Sequence, residues 1–174
     1  MNDDKYSYVN QLDNRLLPGF ERMMIPVKEK AIRTLIAGSG PPLLMLHGDP
    51  QTHLCWHKIA PPLTDKFTIV LTDIRGRGET HKPGPSHDHR AYSKREMAAE
   101  QVDVMRHLGF ERFSLIGHDR GARVARRLAL DYPRAVERLV VMDIVPALDF
   151  YETANAAIAP VSYTHLTLPT ILLV

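Results

Sequence analysis

The chain has 174 residues, of which 22 are Lys or Arg and 20 are Asp or Glu, a net charge of +2 with the nine histidines neutral. That length suits one domain with a real core, and 44% hydrophobic with 24% charged residues is globular composition, not that of a disordered chain. The near-neutral balance excludes an electrostatic footprint for nucleic acid, the single cysteine, Cys55, excludes an intrachain disulfide, and no apolar run reaches the ~18 residues that span a bilayer.

Met1-Asn2-Asp3-Asp4-Lys5 lacks the basic-then-apolar order of a signal peptide, so a cytoplasmic setting is expected. Phe20 to Val27 and Ala31 to Ile36 predict two strands joined as a hairpin by Lys28-Glu29-Lys30. Gly38-Ser39-Gly40-Pro41-Pro42 predicts a loop, because neither proline can sit inside a central ladder. Leu43 to Leu46 is an unbroken apolar run of the kind buried on both faces of a parallel sheet, and Phe67 to Leu71 is a second. Lys94 to Leu108 predicts a helix, with Met97, Val102, Met105 and Leu108 near 3.6 spacing and Gly109 as its stop. Phe113 to Ile116 predicts another buried strand. Gly121 to Tyr132 predicts a second helix, with Val124, Leu128 and Tyr132 at i, i+4 and i+8 before Pro133 ends it. Leu139 to Met142 closes the series. The alternation predicts an α/β fold, a mostly parallel sheet with helices on both faces. Ligands of such sheets bind beyond the carboxyl ends of the strands, so the residues just after each run are where chemistry is expected.

Three polar constellations stand there: His47-Gly48-Asp49-Pro50, Gly117-His118-Asp119-Arg120-Gly121 and Asp143-Ile144-Val145-Pro146. The second has the spacing of a nucleophile elbow, with Asp119 in place of serine. Glycines at 117 and 121 suit a turn so tight that a side chain would hold strand and helix apart. The residue at its apex is pushed out in a strained conformation toward a ligand. An aspartate there needs no activating base, since its unperturbed pKa of ~3.9 leaves it ionised at neutral pH. Arg120 and Arg123, at i and i+3, share the first turn of the following helix and make a receptor for a small carboxylate.

With these motifs, the stretch from about Leu17 to about Ala159 resembles the α/β-hydrolase superfamily. His47-Gly48-Asp49-Pro50 looks like its H-G-x-P oxyanion loop, and Asp73-Ile74-Arg75-Gly76-Arg77-Gly78 like its D-x-R-G-x-G turn. Gly117-His118-Asp119-Arg120-Gly121-Ala122-Arg123, with Pro50-Gln51-Thr52-His53 upstream, is most similar to haloacetate (fluoroacetate) dehalogenases. The resemblance implies the N-terminal part of an α/β-hydrolase fold, with about six strands, and with the cap and C-terminal strands missing. It implies Asp119 as nucleophile, Arg120 and Arg123 as the substrate carboxylate's ligands, and Asp143 as the acid that orients a catalytic histidine. It also implies the backbone N–H groups of Asp49 and Arg120 as oxyanion donors. The expected activity of the full-length parent is conversion of a 2-haloacid to the 2-hydroxy acid and halide through an aspartyl ester. No cofactor, nucleic acid or membrane partner is expected, and the parent is expected as a homodimer.

Each residue has a plainer reading. Asp119 could cap the helix after it, Arg123 could pair with a nearby carboxylate, and Asp143 could cap a turn. Arg126, Arg127 and Arg134 read as a solvated face, His47 as a structural hydrogen-bonder, and His118 as pointing away from substrate. His53 and His57 stand at i, i+4 but lack the glutamate of H-E-x-x-H, so no metal is expected. Residues 1–147 are read as an incomplete core, 148–159 as the start of a cap, and 160–174 as a non-native tail. That tail, beginning Val161-Ser162-Tyr163-Thr164-His165, resembles translated sequencing-adapter read-through, so His165 is not taken as the missing base. A genuine short apolar terminus is the other reading of it. Leu139–Met142 is then expected as an unpaired hydrophobic edge, and the chain is not expected to turn over. Two other functions are open: an epoxide hydrolase with the same nucleophile, where Trp is typical at position 120, and a non-catalytic binding module.

Overall fold

The computed structural model describes residues 7–28, 30–84 and 90–144. The expected start of a cap at 148–159 and the tail at 160–174 lie outside the described residues.

Helix α1 spans Ser7–Leu16 and was not foreseen in the sequence. Strands β1 (Glu21–Val27) and β2 (Lys30–Ala37) form the expected antiparallel hairpin. Strand β3 (Pro42–Leu46) begins one residue early, with Pro42 inside the ladder opposite Thr68. That corrects the expectation that Pro42 belongs to the loop. The first position of a strand tolerates a residue without an N–H. A 3₁₀ turn at His53–Trp56 and the four-residue α2 (Ala60–Leu63) lead to β4 (Thr68–Thr72). Another 3₁₀ turn (Arg90–Tyr92) precedes α3 (Lys94–His107), then come β5 (Phe113–His118), α4 (Arg120–Asp131) and β6 (Val136–Met142).

The six strands make one sheet in the order β1-β2-β4-β3-β5-β6. The pairs β3–β4, β3–β5 and β5–β6 are parallel, while β1–β2 and β2–β4 are antiparallel. The unbroken apolar runs have a simple cause. Alternate residues of one strand serve two cores: Leu44 and Leu46 pack with Met97, Val102, Val124 and Leu128 of α3 and α4. Leu43 and Met45 face the other way, onto Leu17, Trp56 and Ala60. Both faces are therefore covered, as a parallel sheet requires.

The helix ends follow their sequence signals. Ser93 caps α3 by accepting the Glu96 N–H at 3.2 Å, the first half of a capping box. Gly109, with φ of 84°, stops it, and the Phe110 N–H returns to the Met105 carbonyl at 2.8 Å. Edge strand β6 departs from the central pattern, with Leu139 38% and Val140 48% exposed. Among the described residues no helix is long and apolar enough to cross a membrane.

Candidate active site

The elbow between β5 and α4 is built by close approach. A Cβ on Gly121 would lie 2.4 Å from the carbonyl oxygens of Leu46 and His47, and one on Gly117 would lie 2.6 Å from the Cα of Ala122. Only glycine lets the start of α4 sit against the end of β3. At the apex Asp119 has φ of 47° and ψ of −114°, a region that a residue with a Cβ adopts only when its surroundings enforce it. Its amide is held by the Met142 carbonyl of β6 at 3.0 Å.

Asp119 stands at the N-cap position, but its side chain makes no capping hydrogen bond to α4. Its Oδ2 instead accepts the Asp49 N–H at 2.9 Å. The geometry therefore disfavours the capping reading and brings the expected nucleophile and one expected oxyanion donor together. That donor is aimed by a chain of contacts. The Ile74 N–H donates to His47 Nε2 at 3.0 Å, which fixes the ring proton on Nδ1, and Nδ1 lies 2.7 Å from the Gly48 carbonyl. In a trans peptide the C=O and the next N–H point opposite ways. Pinning the Gly48 carbonyl on His47 thus turns the Asp49 N–H toward Asp119. Burial, only partly opposed by the charge of Asp73, holds the His47 pKa below its ordinary value, so the ring stays neutral.

The mouth of the site is cationic. Arg120 Nη2 is 3.3 Å from Asp49 Oδ2, while Arg77 pairs with the other oxygen of the same carboxylate. Arg123 is exposed on the first turn of α4. Lys94, half-buried at the start of α3, is a member of the cluster that the sequence did not signal. Its pKa is lowered by burial and then by Arg120 and Arg123, against the opposite pull of Asp119 and Asp49. Asp143 lies at the end of β6 with φ of 56° and its side chain 80% exposed, 3.5 Å from His118 Nε2. The other ring nitrogen of His118 is 3.2 Å from Gln51 Oε1. His118 is thus turned to the oxyanion loop and Asp143. Of the arginines read as a solvated face, Arg127 pairs with Asp131 at 2.7 Å.

Behind the loop lies a second, buried cluster. The His53 ring bridges two carboxylates, with Nε2 2.9 Å from Asp13 Oδ1 and Nδ1 2.9 Å from Asp73 Oδ1. Arg33 pairs with Asp13 and with Glu79. Burial opposes the charge on His53, yet hydrogen bonds to Asp13 and Asp73 and their negative charges outweigh it and raise its pKa to about 9. Burial also opposes ionisation of Asp13 and Asp73, but His53 holds both below the usual carboxylate value. Both ring nitrogens of His53 are thereby engaged, and His57 Nδ1 is 2.9 Å from the Leu54 carbonyl. Among the described residues no group of three His, Cys, Asp or Glu side chains converges on a metal position.

A family model described as alpha/beta hydrolase fold matches residues 41–171. The chain belongs to that family. A fluoroacetate dehalogenase from Burkholderia sp is 45% identical over 150 residues, covering 86% of this chain and 49% of the relative. A soluble epoxide hydrolase from Corynebacterium sp. (strain C12) is 41% identical over 112 residues, covering 64% of this chain and 37% of that one. Among solved structures, a candidate alpha/beta hydrolase from Nostoc sp PCC 7120 superposes with a TM-score of 0.81 at 50% identity, covering 83% of this chain and 50% of that one. The chain spans about half or less of the length of these alpha/beta hydrolase relatives.

Proposed function

We propose that this chain carries the nucleophile half of a hydrolytic 2-haloacid dehalogenase, in which Asp119 displaces halide from the α-carbon. One observation carries the reading: a strained, non-capping Asp119 whose Oδ2 rests on the Asp49 N–H, with Arg120 and Arg123 on the first turn of the helix that follows it. The contact divides the work of the two carboxylate oxygens. Oδ1 attacks carbon, the new C–O bond forms as the carbon–halogen bond breaks, and the halide leaves with the electron pair. Oδ2 becomes the ester carbonyl. When water adds to that carbonyl carbon, the negative charge develops on the atom already facing the Asp49 N–H, with the Arg120 N–H as second donor. Arg120 and Arg123 hold the substrate carboxylate so that its α-carbon faces Oδ1.

Ester hydrolysis needs a base. In the whole protein we assign it to a histidine oriented by Asp143 and supplied from outside residues 7–144. The small haloacid remains the proposed partner, with the whole protein as a homodimer in the cytoplasm.

Intact-mass spectrometry tests the first step. Incubation with chloroacetate is expected to add one carboxymethyl group and release one chloride per chain, and Asp119→Asn is expected to abolish both. Sustained glycolate release by the 174-residue chain would overturn the assignment of the base. A second reading, epoxide opening by the same Asp119, is favoured by the Corynebacterium relative. It is opposed by Arg120 at a position where those enzymes typically carry Trp. Labelling by styrene oxide but not by chloroacetate would select it.

A further inference from the structure

The Asp49 side chain has no part in the reaction above, which uses only its backbone N–H, yet it sits in the middle of the cationic mouth. Oδ2 is 3.3 Å from Arg120 and Oδ1 pairs with Arg77, with the Asp49 and Arg120 side chains 28% and 41% exposed. A guanidinium engaged by one carboxylate has fewer N–H groups for a second, and two carboxylates around one fork repel each other. Arg77 offers the resident carboxylate somewhere else to go. Resting on the dehalogenase reading for its substrate, we infer that the Asp49 carboxylate is a specificity-determining group. It competes with the substrate's carboxylate for Arg120 and, when it yields, is retained by Arg77. The site thereby discriminates less strongly in favour of haloacid anions over uncharged halides than its arginines alone would.

The inference makes two substitutions act in opposite directions. Asp49→Asn keeps the backbone N–H and removes the competitor, so glycolate and chloroacetate should bind more tightly, by about tenfold for one partly screened charge interaction. Arg77→Met removes the alternative partner, so Asp49 stays on Arg120 and both anions should bind several-fold more weakly. In the Asp49→Asn background the Arg77→Met effect should largely vanish, which separates competition from the general loss of a positive charge.

Two measurements on the 174-residue chain decide it. Glycolate binding, followed by NMR of the arginine side chains, needs no chemistry at Asp119. The concentration dependence of labelling by chloroacetate and by uncharged chloroacetamide gives the discrimination ratio, expected to rise about tenfold in Asp49→Asn. Equal shifts for the two reagents, weaker glycolate binding in Asp49→Asn, or an undiminished Arg77→Met effect in its background would overturn the inference. Tighter glycolate binding without any labelling would sink the dehalogenase reading and leave the competition standing.

Discussion

Two charge clusters flank the loop after β3, and they are built on opposite rules. Behind the loop, Asp13, Arg33, His53 and Asp73 are buried, and each ring nitrogen of His53 has a carboxylate of its own. In front, Arg77 and Arg120 share the single carboxylate of Asp49 at a half-open surface. In the dry cluster every charge is committed, so removing one leaves another stranded in low dielectric. In the wet cluster charges are shared, so removing one redistributes the rest. The same residue types therefore hold the loop in place on one side and, under the proposed competition, exchange with a ligand on the other.

The contrast can be broken most severely from the buried side. His53→Ala removes the cation between Asp13 and Asp73 and is expected to cost about 3–5 kcal/mol, measured by urea unfolding. Titration gives a graded version of the same break. Because the His53 pKa is raised in the fold to about 9 from 6.5, its stabilisation is complete below pH 6.5 and disappears as pH rises through 9. The slope in that window should approach about 1.4 kcal/mol per pH unit, read from unfolding curves between pH 6 and 10. His53→Gln should flatten it. The carboxylates have the opposite sign. Asp13 and Asp73, lowered in the fold, contribute stability above pH 3.8 that is lost as pH falls through their depressed values. The smallest effect belongs to the front: Asp49→Asn should change unfolding free energy by less than ~1 kcal/mol, while its consequence appears in anion binding.

The parts of the fold legible in the sequence are those with a local cause. Leu43–Leu46 announces a central strand because both its faces are buried, Phe113–Ile116 because one face is buried and the other half-buried, and Gly109 and Pro133 mark helix ends through backbone constraints. Asp119 and Arg120 are legible as elbow residues because a strand-to-helix turn this tight admits few sequences, whereas Asp49, on the loop after β3, is marked only by the likeness of His47-Gly48-Asp49-Pro50 to the H-G-x-P loop. Helix α1 was not, for Ser7–Leu16 is largely polar and is pinned by Asp13, whose partners His53 and Arg33 lie 40 and 20 positions away. Lys94 and Arg77 escaped for the same reason. Lys94 reaches the site from the start of α3 and Arg77 from the loop after β4, and nothing near them in the chain marks the meeting point. In the sequence His53 stands out only by its i, i+4 spacing to His57, whereas its partners are carboxylates on other elements.

The bond from the Asp119 amide to the Met142 carbonyl ties the proposed attacking group to β6, which ends the strand order among the described residues. The aim of Asp119 therefore depends on β6: whatever frays that strand loosens the apex, and whatever braces it steadies the carboxylate. Under the proposed chemistry, labelling of this one aspartate doubles as a gauge of how intact β6 is.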